Sequence, residues 1–246
     1  MEQKLGYTQR RVRANRHIRE LAANVTLSHR DFIQPLFVDE SIKTRTPIAT
    51  LHEISSDTIA SVVDQIQADL QQGVSKFLLF PVPLNKVESH FDFSFVVNTI
   101  GEIKKKFGTQ VWLAADMCLC AYTSHGHCGI LSSDGTRVLN AETVDVLADY
   151  AVQLARAGAD CIAPSDMMDG RIAAIRSALD EHGFDHIPVM SYSAKFSSQF
   201  YGPFRDACRS TPGNGPLLKD RKTYQISMFN HADAIESALR DGAQGA

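Results

Sequence analysis

From Phe32 onward the chain repeats one pattern, a short apolar run followed by a turn and a stripe of apolar residues at helical spacing. Phe32 to Val38, Phe77 to Val82, Val111 to Cys120, Cys161 to Ser165 and Ile187 to Ala194 read as strands. The intervening helices carry Ile59, Val62, Val63, Ile66 and Leu70, then Val96, Ile100 and Ile103, then Val144, Leu147, Ala151 and Leu154, then Ile172, Ile175 and Leu179. Ser55, Ser56 or Asp57 caps the first of these, and Gly73 lies just past its end. A loop rich in Gly, Pro and Ser covers 197–222, and a last helix runs from His231 to Arg240. Such alternation predicts parallel strands joined by right-handed crossovers, as a doubly wound sheet or as an eight-stranded barrel.

Two strands favour the barrel. In the third, Trp112, Ala114, Asp116, Cys118 and Cys120 share one face, and Val111, Leu113, Ala115, Met117 and Leu119 share the other. In the fifth, Val189, Ser191, Ser193 and Lys195 oppose Met190, Tyr192, Ala194 and Phe196. The apolar faces suit packing on helices and the mixed faces suit a barrel lumen, with reactive groups at the carboxyl ends of the strands. The expectation is therefore an α/β fold of the TIM-type (β/α)8 barrel, incomplete here with about five strands. Residues 1–30 stand apart as an arm, with Arg10, Arg11, Arg13, Arg16, His17 and Arg19 available to phosphate, a partner subunit or solvent. Residues 31–246 form the barrel domain.

A net charge of −3 gives no general reason for a nucleic-acid partner, and no apolar run is long enough for a membrane span or a signal peptide. Five cysteines, three of them crowded in one segment, point to reduced thiols and a cytoplasmic protein rather than a disulfide framework.

Cys118, Cys120 and Cys128 form a C-x-C-x7-C cluster around a Gly- and His-rich turn. Strand alternation points the first two the same way, and a loop returns the third. Three thiolates suit zinc, and a set of three protein ligands is the catalytic pattern; the spacing alone leaves inert core thiols equally open. Lys195 ends an inward face, where desolvation lowers an amine's pKa and allows Schiff-base chemistry. Arg205 and Arg221 offer bidentate partners for a carboxylate. Asp166 is placed to tune an amine, Asp116 to share its cavity, Asp169 to cap the following helix, and His125 and His127 to support the cysteines or shape their turn.

Five segments together resemble the porphobilinogen synthase (5-aminolaevulinate dehydratase) family of the zinc-cysteine type: 118–129, 163–171, 191–196, 200–206 and 220–225. The resemblance implies a β/α barrel with an arm that embraces a neighbour in a homo-octamer, condensing two molecules of 5-aminolaevulinate into porphobilinogen for haem and other tetrapyrroles. It implies zinc on Cys118, Cys120 and Cys128, a Schiff base at Lys195, and substrate contacts from Arg205, Arg221, Asp116, Ser165 and Asp166. It also implies an allosteric magnesium ion, whose glutamate Glu236 matches one position out of register. The family's second Schiff-base lysine lies in a Met-Val-Lys-Pro segment that this sequence does not include. The alternative expectation is thus a truncated, inactive fragment that binds zinc or contacts other subunits.

Overall fold

Among the described residues six strands form one sheet, ordered β2-β3-β1-β4-β5-β6. They are β1 (Gln34–Asp39), β2 (Thr46–Pro47), β3 (Ser55–Asp57), β4 (Lys76–Val82), β5 (Trp112–Met117) and β6 (Cys161–Pro164). The computed structural model describes residues 9–210 and 218–246, so part of the long loop expected at 197–222 lies outside the described residues. β3, β1, β4, β5 and β6 pair in parallel, and β2 alone is antiparallel. Among the described residues the sheet does not close on itself.

The chain divides after Phe32 into two compact units. In the first, α1 (Arg16–Leu21) is capped by Asn15, whose side chain accepts from the Ile18 N–H at 3.0 Å. A 3-10 turn at His29–Asp31 begins with a capping box in which Ser28 N–H donates back to Asp31. None of these elements contains a buried residue.

In the second unit, the helices are α2 (Ile59–Gln71), α3 (Ser94–Phe107), α4 (Asn140–Ala157), α5 (Arg171–Glu181), α6 (Gly202–Cys208) and α7 (His231–Ala243). The expected apolar stripes are the buried ones: Val62 and Ile66 on α2, Ile100 and Ile103 on α3, Leu147 and Leu154 on α4, Ile172 and Ile175 on α5. They pack with the strand face made of Leu113, Ala115 and Met117 in one core. Burying each such side chain is worth about 1.5–3 kcal/mol. A second, smaller cluster gathers Phe37 of β1, Phe80 of β4 and Phe204 of α6, whose ring stands edge-on to both at 6.0 and 5.2 Å.

Several expectations need correction. Ser55, Ser56 and Asp57 form β3, and Thr58 caps α2 instead, in a reciprocal capping box with Ser61. Asp169 does not cap α5; left-handed Gly170 precedes that helix without a side-chain cap. β5 stops at Met117 and a 3-10 turn takes over at Leu119–Ala121, so strand alternation does not extend to Cys120. Ile187–Ala194 is not a full strand. It runs beside β6 through Ile162 N–H to Pro188, Met190 N–H to Ile162 and Tyr192 N–H to Pro164, with one isolated bridge at Val189. Pro164 has no N–H to give, which ends the ladder at that point.

Asp160, just before β6, braces the layers. It accepts from Lys104 Nζ at 2.8 Å and from the Leu113 N–H at 2.7 Å, tying α3 to the start of β5. Asp160→Ala leaves both donors without this partner. It should cost about 2 kcal/mol and lower the thermal midpoint by roughly 4–8 °C, read by calorimetry; an unchanged midpoint would refute the brace.

Candidate active site

Cys118 ends the extended run of β5 and is the N-cap of the 3-10 turn, where its sulfur accepts from the Cys120 N–H at 3.4 Å. That turn, rather than strand pleating, brings Cys120 beside Cys118. The chain then loops through Thr123, whose hydroxyl donates to the His127 carbonyl at 2.8 Å, and returns Cys128. The next residue has to be glycine. A Cβ on Gly129 would sit 2.6 Å from Val138 and 2.7 Å from Thr143. Thr143 cannot swing away, because its hydroxyl donates to Leu139 and accepts from Ile130.

The three sulfurs lie within 4.8 Å of one another and all three residues are buried. Among the described residues they are the one group of three or more such side chains that could hold a metal ion. The donor set is soft, compact and three-fold, which fits a zinc-type ion with one open position. Hydrogen bonds from the Cys118 and Cys120 thiols hold Cys128 well below the usual thiol range, while burial pushes Cys118 up.

Lys195 is 7% exposed, and its ammonium donates to the Ser165 carbonyl at 2.6 Å. The Tyr192 and Tyr201 rings flank Nζ at 5.5 and 5.6 Å. Burial works to lower its pKa, but the charges at Cys128, Cys118, Cys120 and Asp116 outweigh it and the net direction is upward. Desolvation and the neighbouring negative charges thus pull the amine in opposite directions.

Asp116 and Ser165 meet below the lysine. Burial pushes Asp116 up to about 7, against the pull of Lys195 and a hydrogen bond from Ser165, and its Oδ1 has no partner. Asp166 is fully buried. Its Oδ1 accepts from the Met168 N–H at 2.7 Å, and its Oδ2 lies 3.5 Å from Arg171 Nε without hydrogen-bond geometry. Asp166 thus shapes the turn before α5 and faces the buried Arg171 guanidinium. Arg171 in turn donates to Ser191 and pairs with Asp241 of α7 at 3.3 Å.

Arg221 is buried, and its Nη2 donates to the carbonyls of Gly126 and Ser210, both at 2.8 Å. Its Nε has no partner, and neither has Nε of Arg205 on α6. Gln225, which the sequence reading missed, is 5% exposed with both amide atoms unpartnered. Arg205 and Gln225 line a cavity of about 710 Å³. Unsatisfied buried donors of this kind cost about 1–3 kcal/mol each unless a ligand or water meets them. The signal for Gln225 was present, since it lies four residues after Arg221 in the segment already singled out, and its N–H closes a turn on the Arg221 carbonyl at 2.9 Å.

Of the histidines, His125 accepts from the His127 N–H and is pushed down to about 4 by burial. His127 is fully buried between Leu218 and Tyr224. Cys161 and Cys208 are buried and outside the cluster.

Asp166 gives a pH signature. Its pKa of about 6 exceeds its ordinary value of 3.8, chiefly through burial, so the folded state binds more protons across that interval. The contribution of Asp166 to stability should therefore fall as pH rises from 3.8 to about 6 and then level off. Urea denaturation of wild type against Asp166→Asn should show a difference drifting by roughly 3 kcal/mol over this window; parallel profiles would remove the assignment.

Comparison with known proteins agrees over nearly the whole chain. Residues 7–246 match the family described as delta-aminolevulinic acid dehydratase. The protein of that name from Bacillus subtilis is 41% identical over 241 residues, covering 96% of this chain and 72% of the relative. Its counterpart from Methanothermus sociabilis is 40% identical, covering 99% and 75%. The crystal structure of the Toxoplasma gondii enzyme with its reaction product porphobilinogen superposes with a TM-score of 0.91 at 36% identity, covering 99% of this chain and 69% of that one.

Proposed function

We propose, from the premise that this chain belongs to the delta-aminolevulinic acid dehydratase family, a role for each group around Lys195. The activity is that of a porphobilinogen synthase, a lyase that condenses two molecules of 5-aminolaevulinate with loss of two waters in tetrapyrrole biosynthesis. The fold is the family's TIM-type barrel. The observation that carries the site assignment is one buried lysine held beside a buried three-thiol cluster.

Lys195 is the nucleophile. After losing a proton, its amine attacks the ketone carbon of one substrate; the carbinolamine expels its oxygen as water and leaves a Schiff base. Asp116, buried with a free carboxylate oxygen and a pKa near 7, holds the proton that this departure consumes. The Ser165 carbonyl orients the ammonium, and the Tyr192 and Tyr201 rings exclude water and face the iminium cation. Arg205 and Arg221, with Gln225, hold the substrate carboxylate through donors that have no protein partner. Asp166 keeps the turn beneath Ser165 in place.

Cys118, Cys120 and Cys128 hold zinc, which when bound supplies a Lewis acid for the second substrate. The carboxylate that would hold an allosteric magnesium ion is Glu236, exposed on α7 beside buried Ser237, with the Arg240 guanidinium near it paired to Asp169 and Asp241. The basic arm embraces a neighbouring subunit in a homo-octamer, in keeping with elements that bury nothing of their own. Among the described residues no helix is long and apolar enough to cross a membrane; we place the protein in the cytoplasm.

Two measurements test this reading. Borohydride reduction in the presence of 5-aminolaevulinate should attach one substrate to the peptide bearing Lys195, and Lys195→Ala should abolish the adduct; labelling elsewhere sinks the nucleophile. Cys120→Ser should lower zinc affinity at least tenfold in a chelator competition, and full retention refutes the thiol site. Porphobilinogen formation with added zinc reads the activity itself.

A further inference from the structure

The turn that carries Arg221 is laced to the loop that carries Cys128, and the lacing passes through one phenol. His127 Nε2 lies 2.9 Å from the Leu218 carbonyl, which can only accept, so that nitrogen bears the proton. Nδ1 of the neutral ring is then an acceptor, and the Tyr224 hydroxyl at 3.0 Å donates to it. The phenol oxygen in turn accepts the Cys128 N–H at 3.3 Å. The Leu218 carbonyl sets the direction of the Tyr224–His127 bond, and the phenol also lies within hydrogen-bond reach of the Cys128 thiol. On the other side, the Tyr224 and Gln225 N–H groups both donate to the Arg221 carbonyl, at 3.2 and 2.9 Å. Arg221 reaches across to the Gly126 carbonyl at 2.8 Å, two residues before Cys128.

We infer that Tyr224 is a positioning residue that joins the third metal-holding thiol to the carboxylate-binding turn, so that filling either site strengthens the other. The inference rests on the reading above, that the thiols hold a metal and Arg221 a carboxylate. Its physical basis is shared order. Fixing the 218–226 segment around a carboxylate also fixes the phenol that holds the Cys128 backbone, and a metal on Cys128 holds the phenol for the arginine. Linkage makes the effect equal in both directions. Tyr224 touches neither substrate nor metal in this scheme; it acts through Cys128 and Arg221.

The test uses cobalt(II) as the metal probe, read by its near-ultraviolet thiolate charge-transfer band. The carboxylate probe is 4-oxopentanoate, the substrate without its amino group. In the wild-type chain, saturating 4-oxopentanoate should tighten cobalt binding at least fivefold. Tyr224→Phe keeps the ring and loses only the hydroxyl. With its far-ultraviolet dichroism unchanged, it should bind cobalt roughly tenfold more weakly, and 4-oxopentanoate should no longer tighten it. His127→Ala, which removes the phenol's acceptor, should weaken the same coupling and serves if the first variant fails to fold. Unaltered affinity, or a tightening that survives in both variants, overturns the relay while leaving the metal and lysine assignments standing. A wild-type chain without any thiolate band overturns the metal reading, and this inference with it.

Discussion

Everything in the site depends on confining several ionisable groups of opposite sign in one volume that excludes water. Three buried thiols, a buried ammonium and a buried carboxyl face one another across the ends of β5 and β6. Isolated burial of any one of them would neutralise it. Together, hydrogen bonds among the thiols hold Cys128 down, the neighbouring negative charges push Lys195 up against burial, and burial pushes Asp116 up to about 7. The charge state of the lysine is therefore a property of the cluster. Whatever compensates the thiolates also frees the amine from their attraction.

The fold supplies this confinement by ordinary means. Parallel strands end on one side of the sheet, and the segments after β5, after β6 and at Lys195 all start from neighbouring edges there. The Ser165 N–H bonds to Met117 at 3.0 Å, so the residue beneath the lysine is an extension of the sheet ladder. Chemistry-bearing side chains are then mounted on backbone that the core already holds.

What was legible in the sequence divides along the same line. The stripes of α2 to α5 and the apolar face of β5 follow from periodicity, because a 3.6-residue or two-residue repeat decides which side is dry. Cys118, Cys120, Cys128, Lys195 and Arg221 could be singled out by residue type and position, and all are buried. The turn that pairs Cys118 with Cys120 was not readable, since a C-x-C spacing satisfies a strand and a 3-10 turn equally. Nor was the partial strand at 187–194, where the loss is set by Pro164 on the neighbour. Asp166 could be singled out as an acid of the site, while its proximity to Arg171, five residues on in sequence and folded back, shows only in three dimensions. Tyr224 lies in the matching segment 220–225, but the Cys128 and His127 atoms it meets, ninety-odd residues away, show only in three dimensions.

The aromatic trio of Phe37, Phe80 and Phe204 has an implication for tuning. Arg205 follows Phe204 on a helix of only seven residues, too short to hold its own direction. Standing edge-on to the stacked Phe37 and Phe80 rings of the sheet, Phe204 makes the helix a lever whose fulcrum is the barrel wall. Re-contouring that contact by a methylene or two would swing the guanidinium without touching Lys195 or the thiols, so the reach of Arg205 is open to adjustment from beneath the floor.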